Sequence, residues 1–81
     1  MDKAQFETKA IVAGASQKEM LDFENVFRNV SGLYLESPMV NEDYLKTQGM
    51  QTAVACRALL VPKLSMDGIN RIVSVFESFC S

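Results

Sequence analysis

The stretch TQGMQTAVAC, Thr47 to Cys56, contains no charged residue, and the apolar segment ALLVP follows it after Arg57. Asn41 precedes the stretch and is a favourable residue for capping the start of a helix. Pro62 follows it and cannot continue a helix. The sequence therefore predicts a central helix over residues 42–61, and the lack of charge means that much of its surface has to be covered.

Two apolar stripes run along this predicted helix, about a third of a turn apart. The first contains Leu45, Gly49, Ala53, Cys56 and Leu60, and its small residues would let another backbone approach closely. The second contains Met50, Val54, Ala58 and Val61. One neighbouring helix covers only one stripe. The sequence does not decide whether the second stripe is covered by another helix of the chain or by another molecule.

The flanking segments predict two further helices. Ser16 begins the motif SQKE, which has the form of a capping box, and apolar residues at three- and four-residue spacing follow it. These features predict a helix over residues 17–31, with Gly32 just beyond its end. Ser65 is the predicted cap of a last helix over residues 66–79, which has the same apolar spacing.

The N-terminal segment KAQFETKAIVAG has two interpretations. Alternating apolar residues fit a single strand, whereas the alanines favour a helix, either separate from the next one or continuous with it through Gly14. In either case the predicted fold class is all-α. The chain is expected to form a small helical hairpin or three-helix bundle, as one domain over residues 1–81.

Composition excludes several classes of function. The 81 residues are 48% hydrophobic and 22% charged, which is typical of a globular chain. The net charge is −2 and the basic residues are scattered, so nucleic-acid binding is not expected. No uncharged segment approaches the ~20 residues of a membrane span, and the N-terminus lacks the pattern of a cleaved signal peptide. We expect a soluble, cytoplasmic protein, or one exported without such a signal.

Catalytic motifs are missing from the sequence. The chain has no histidine, which is the usual general base at neutral pH, and its four glycines are isolated rather than grouped in a phosphate-binding loop. Cys56 and Cys80 are too few for a disulfide scaffold or a metal site. Free, buried thiols are the favoured interpretation, and one bridge is the alternative. The sequence therefore predicts a non-enzymatic protein without cofactor or metal.

A protein is the expected partner, either a second copy or one specific binding protein. The candidate contact face consists of the first stripe and three residues of the last helix: Leu45, Gly49, Ala53, Cys56, Leu60, Ile69, Val73 and Phe76. A second candidate is an acidic patch around the Pro38 connector, formed by Glu36, Glu42 and Asp43. Acidic residues at a helix start also favour the helix dipole, so a structural role for the last two is the alternative.

Four features of the sequence carry a family resemblance. They are DFENVF (Asp22–Phe27), the polar connector with Ser37-Pro38 and Asn41, Gln48 and Met50 of the long helix, and KLSMDGINRI (Lys63–Ile72). Through them, residues 20–79 resemble the inner-rod subunits of bacterial type III secretion systems and, more loosely, their needle subunits. The resemblance implies a helical subunit that assembles in a secretion conduit. Pro62 departs from the continuous C-terminal helix of that family.

Two functional hypotheses follow. The first is an assembly subunit, for example an inner-rod-like component, that buries its apolar helices against other copies. The second is a small phage- or plasmid-encoded regulatory protein, inhibitor or chaperone, which folds alone and docks one protein partner.

Overall fold

A computed structural model describes all residues, 1–81, and contains four α-helices and no strand. The helices are α1 (Lys3–Val12), α2 (Gln17–Ser31), α3 (Glu42–Leu60) and α4 (Met66–Glu77). The all-α prediction is confirmed. The three predicted helices are present, and their ends agree with the prediction to within two residues.

The N-terminal segment is a separate helix, which adds a fourth element to the predicted hairpin or three-helix bundle. The helical interpretation is confirmed, whereas the single strand and the continuation through Gly14 are wrong. This glycine has φ 88°, in the left-handed region, and its N–H donates to the carbonyl of Ile11. Ser16 then begins α2 as its N-cap. The chain turns between the two helices because neither Gly14 nor Ser16 has helical backbone geometry.

Each helix cap predicted from the sequence is present. Ser16 and Glu19 form the reciprocal pair of a capping box, with hydrogen bonds of 3.1 and 3.2 Å. The side chains of Asn41 and Ser65 accept hydrogen bonds from backbone N–H groups three residues further on, at 2.9 and 3.1 Å. Gly32 ends α2 with φ 73°. These short-range bonds satisfy donors that a helix start leaves without partners.

Phenylalanine rings from three helices form the centre of the core. Phe6 of α1 stacks on Phe23 of α2 at a centroid distance of 5.4 Å, and Phe23 meets Phe76 of α4 at 5.3 Å. Phe27 lies 5.5 Å from Phe76. All four rings are buried, and each contributes about 1.5–3 kcal/mol through the removal of apolar surface from water. The cluster fixes α1 against α2 and α4.

An ion pair joins the start of α2 to the middle of α4. The Arg71 guanidinium donates two hydrogen bonds to the carboxylate of Glu19, at 3.0 and 2.7 Å. Hydrogen bonding from Arg71 is the main reason that the pKa of Glu19 lies below its usual range. Gly68 leaves room for this carboxylate, since a Cβ there would lie 3.0 Å from Oε2. One side chain therefore both caps α2 and ties it to α4.

Candidate interaction surface

The predicted contact face lies in the interior of the folded chain. Its eight residues are all buried: Leu45, Gly49, Ala53, Cys56, Leu60, Ile69, Val73 and Phe76. Helix α3 packs against both α2 and α4, so the first stripe is covered by helices of its own chain. In this fold the face is not available to a second molecule.

Gly49 has a specific neighbour in the core. A Cβ built at this position would overlap the Sγ of Cys80 and lie 3.1 Å from its Cβ. The close approach expected of Gly49 is therefore made by the C-terminal segment that follows α4. This contact closes one end of the core, because Cys80 is itself buried.

The second stripe of α3 is exposed to solvent along its whole length. Together with the neighbouring exposed residue Thr47, it is called here the outer stripe: Thr47, Met50, Val54, Ala58 and Val61. Its three large apolar side chains are 50%, 66% and 61% exposed, for Met50, Val54 and Val61 respectively. The chain thus covers one stripe of its least charged helix and leaves the other in water.

The packing of α1 explains why the outer stripe has no cover. The sequence allows helices 17–31 and 66–79 to cover the two stripes of α3 between them. Instead, α2 and α4 both pack on the inner side of α3, and α1 packs mainly on α4. No fourth helix is left for the outer side of α3.

Charged groups near the outer stripe differ in whether they have partners. Lys46 pairs with Glu42 at 2.8 Å on the helix surface. Arg57 donates to Glu77 at 3.1 Å, which ties it to α4. Asp43, in the first turn of α3, and Lys63, in the turn after it, make no ion pair within the chain. Asp43 lies near the first end of the outer stripe, whereas Lys63 lies in the turn beyond α3, where its backbone carbonyl accepts a hydrogen bond from Lys18 of α2.

Other exposed apolar side chains are more dispersed. They are Ile11, Val12, Leu21, Tyr34, Met39, Leu59 and Met66. The Arg28 guanidinium packs over the Tyr34 ring, at 4.3 Å from the ring centroid. An open groove also lies between α1 and α4; polar side chains such as Lys9 and Arg71 border it, but most of its exposed surface is apolar. Exposed apolar residues that occur singly are normal on a protein surface, so the outer stripe stands out by its continuity.

The predicted acidic patch is spread over two environments. Glu36 lies on the side of the molecule formed by Lys3 and Glu24, where Lys3 and Glu24 are 3.5 Å apart. Burial raises the pKa of Glu24 in spite of this lysine. Glu42 is paired with Lys46, and Asp43 lies beside it at the start of α3. No hydrogen bond or ion pair joins Glu36 to the other two.

The two cysteines are free and buried. Burial raises the pKa of the Cys56 thiol to about 12 and also raises that of Cys80. Thiols in such surroundings stay protonated near neutral pH and are poor nucleophiles. The structure also contains no group of three or more His, Cys, Asp or Glu side chains placed to hold a metal ion.

Comparison with known proteins gives no relative: no family model matches the chain, and no curated protein or solved structure is significantly similar to it. None of the four helices has the length and apolar character required to cross a membrane. The outer stripe is therefore the feature from which a function has to be argued.

Sequence reasoning found the outer stripe but selected the other one as the contact face. Four of its residues, Met50, Val54, Ala58 and Val61, are recognisable from their spacing of four, four and three positions without a charge, and Thr47 is added by the structure. The sequence alone does not indicate on which side of α3 the helices α2 and α4 pack. The inner stripe has leucine at both ends, Leu45 and Leu60, and this bulk is the one local signal that marks it as the core side.

Proposed function

We propose that the chain is a non-enzymatic protein-interaction module that binds protein through the outer stripe of α3. The observation that carries the proposal is the continuous exposure of this stripe on a chain whose other face of α3 is fully covered. Five positions over four helical turns present no charge to solvent. This exposure supports the proposal, because continuous apolar surface is a common feature of protein contact sites.

The core supports a module that folds before it binds. Four phenylalanine rings are completely buried, and no buried side-chain nitrogen or oxygen lacks a hydrogen-bond partner. The hydroxyl of Thr52, which is buried in α3, donates to the carbonyl of Gln48 and accepts a 2.9 Å hydrogen bond from the hydroxyl of Tyr44. The buried polar groups therefore have hydrogen-bond partners within the chain, and binding would involve surface residues alone.

Photo-crosslinking tests this proposal directly. A photoreactive phenylalanine derivative placed at Met50 in the full chain, in the cells that produce it, is expected to give a discrete covalent adduct with protein. The same group at Gln48, which is exposed on another side of α3, is the matched control. Val54→Glu added to the Met50 probe should abolish the adduct, because it places a charge at the centre of the stripe. Equal labelling from both positions, or none from either, would contradict the proposal.

Of the two hypotheses from the sequence, the compact fold favours a protein that folds alone and docks a partner through its surface. Assembly of the inner-rod kind rests on the sequence resemblance. If such assembly used the face predicted for it, residues such as Ala53 and Val73 would have to leave the core, since both are fully buried. It therefore requires α3 and α4 to separate. Light scattering with circular dichroism would detect it as large species with altered tertiary packing.

A further inference from the structure

We propose that Met50 is a reversible oxidation site, at which conversion of the thioether to the sulfoxide stops the outer stripe from binding its partner and leaves the fold intact. Because Met50 belongs to the outer stripe, this regulation rests on the proposed function. It requires no knowledge of which protein covers the stripe.

The sulfur atoms of the chain differ in their access to solvent. Met39, Met50 and Met66 are each at least half exposed, whereas Met1 is partly buried and Met20 is buried in the core. Both cysteines are free and buried, so their protonated thiols do not compete for an oxidant in solution. An oxidant that meets the folded chain therefore reacts at the exposed methionines.

Met50 is the one exposed methionine that lies in the outer stripe. It is three residues from Thr47 and four from Val54, so these side chains share one side of α3. Met39 lies in the connector between α2 and α3, and Met66 is the first residue of α4. Oxidation turns a flexible apolar side chain into a polar one, so at Met50 it changes the proposed contact surface itself.

The oxidation step transfers an oxygen atom from a hydroperoxide to the sulfur of Met50. The sulfur lone pair forms the new S–O bond, the O–O bond breaks, and the proton of the transferred oxygen passes to the departing oxygen. The thioether loses an electron pair, and the hydroperoxide is reduced to an alcohol, or to water where it is hydrogen peroxide. Methionine sulfoxide reductases reverse the change: a pair of thiols is oxidised to a disulfide and the oxygen leaves as water.

The outer stripe offers no hydrogen-bond donor to a sulfoxide oxygen. Thr47 has the one polar side chain of the stripe, and its hydroxyl donates to the carbonyl of Asp43 at 2.8 Å. In water the sulfoxide is hydrated, so the free chain is unaffected. When a partner covers the stripe, the sulfoxide oxygen loses this water without gaining a donor from α3, and burial of an unpaired polar group opposes binding.

Hydrogen peroxide treatment of the purified, folded chain tests the site itself. Peptide mass spectrometry should find one added oxygen atom on Met50, as on Met39 and Met66, whereas Met20 should stay unmodified as the internal control. The circular dichroism spectrum and the urea midpoint should be unchanged, because the oxidised side chains lie outside the core. An unmodified Met50 in a chain whose other exposed methionines are oxidised would overturn the proposal.

A matched pair of variants tests the effect on binding. Both carry a photoreactive phenylalanine derivative at Ala58, an exposed position of the outer stripe. In one, Met39→Leu and Met66→Leu leave Met50 as the exposed methionine; the other carries Met50→Leu alone. Each chain is oxidised, freed of peroxide and mixed with an extract of the cells that produce the protein, so the partner never meets the oxidant.

Oxidation should lower the photo-adduct of the chain that keeps Met50 by about tenfold or more, because the sulfoxide oxygen is buried without a donor. Methionine sulfoxide reductases acting on both sulfoxide epimers should restore the adduct. The Met50→Leu chain should give the same adduct before and after oxidation. Loss of the adduct from this chain as well would assign the effect to another residue and overturn the role of Met50.

The outcomes separate this regulation from the proposed function. An adduct that survives complete oxidation of Met50 overturns the regulation and leaves the proposed function standing. An untreated chain that gives no adduct from Ala58 contradicts binding along the outer stripe, so the proposed function and the regulation fall together.

Discussion

Gly49→Ala should destabilise the protein, although alanine is the better helix former. Gly49 lies in the interior of α3, where alanine is favoured by about 1 kcal/mol. The added methyl group, however, would overlap Cys80 Sγ and lie 3.1 Å from Cys80 Cβ. Overpacking of a filled core costs about 1–3 kcal/mol. The net expectation is a loss of about 1 kcal/mol in the free energy of unfolding, the difference between these two terms.

The neighbour of Gly49 can be changed to isolate the steric term. Cys80→Ala removes the sulfur and leaves only the 3.1 Å contact with Cβ. In that background Gly49→Ala should be neutral or stabilising, which corresponds to a coupling energy of about 1–2 kcal/mol between the two positions. Comparison of Gln48→Gly with Gln48→Ala, at an exposed position of the same helix outside the outer stripe, measures the helix-propensity term without any core contact; the glycine variant should be less stable by about 1 kcal/mol.

Urea denaturation of the four chains of this cycle, followed by circular dichroism, gives the required free energies. Two results would refute the reasoning. One is a stabilisation of about 1 kcal/mol by Gly49→Ala in the wild-type background, since helix propensity would then act alone. The other is an equal effect in the wild-type and Cys80→Ala backgrounds, which would mean that the two residues do not touch.

Three further predictions concern the core and its ionisable groups. Glu19 has a lowered pKa in the folded state, so its pairing with Arg71 stabilises the protein above the unfolded value of about 4.3 and is lost as pH falls below it. Glu19→Gln should therefore be less stable than wild type at pH 7, and the gap should narrow toward pH 3 in urea titrations; a constant gap would contradict this. Cys56, with a pKa of about 12, should react with a thiol reagent at pH 8 only as the chain unfolds, and immediate labelling in native buffer would exclude a buried thiol. Phe23→Ala should cost about 3–5 kcal/mol, because this ring contacts the rings of three other buried phenylalanines, and an unchanged urea midpoint would show that the cluster is not packed as described.

The helix boundaries could be predicted because they depend on short-range bonds. Ser16, Asn41 and Ser65 each satisfy N–H groups within three residues, so the signal and its effect lie in the same stretch of sequence. Gly14 shows where such reasoning ends. A glycine between two helical patterns permits both a continuous helix and a left-handed turn, and the choice depends on where Phe6 can reach the core.

The side of α3 that faces the core could not be predicted, because both stripes are apolar and periodicity treats them alike. The choice is made by tertiary packing. α1 packs on α4, which leaves α2 and α4 to share one side of α3. The candidate contact face containing Ala53 and Val73 is buried, and the helices that cover it belong to the chain itself.

Monomer stability does not account for the residues of the outer stripe. Valine is a poorer helix former than alanine, lysine or glutamate, and at an exposed position it gains little from burial. Val54 is 66% exposed and pays this propensity cost in the interior of the longest helix. A polar residue there would favour both the helix and the solubility of the chain. The proposed function gives this valine a role, because binding of a partner would cover the outer stripe.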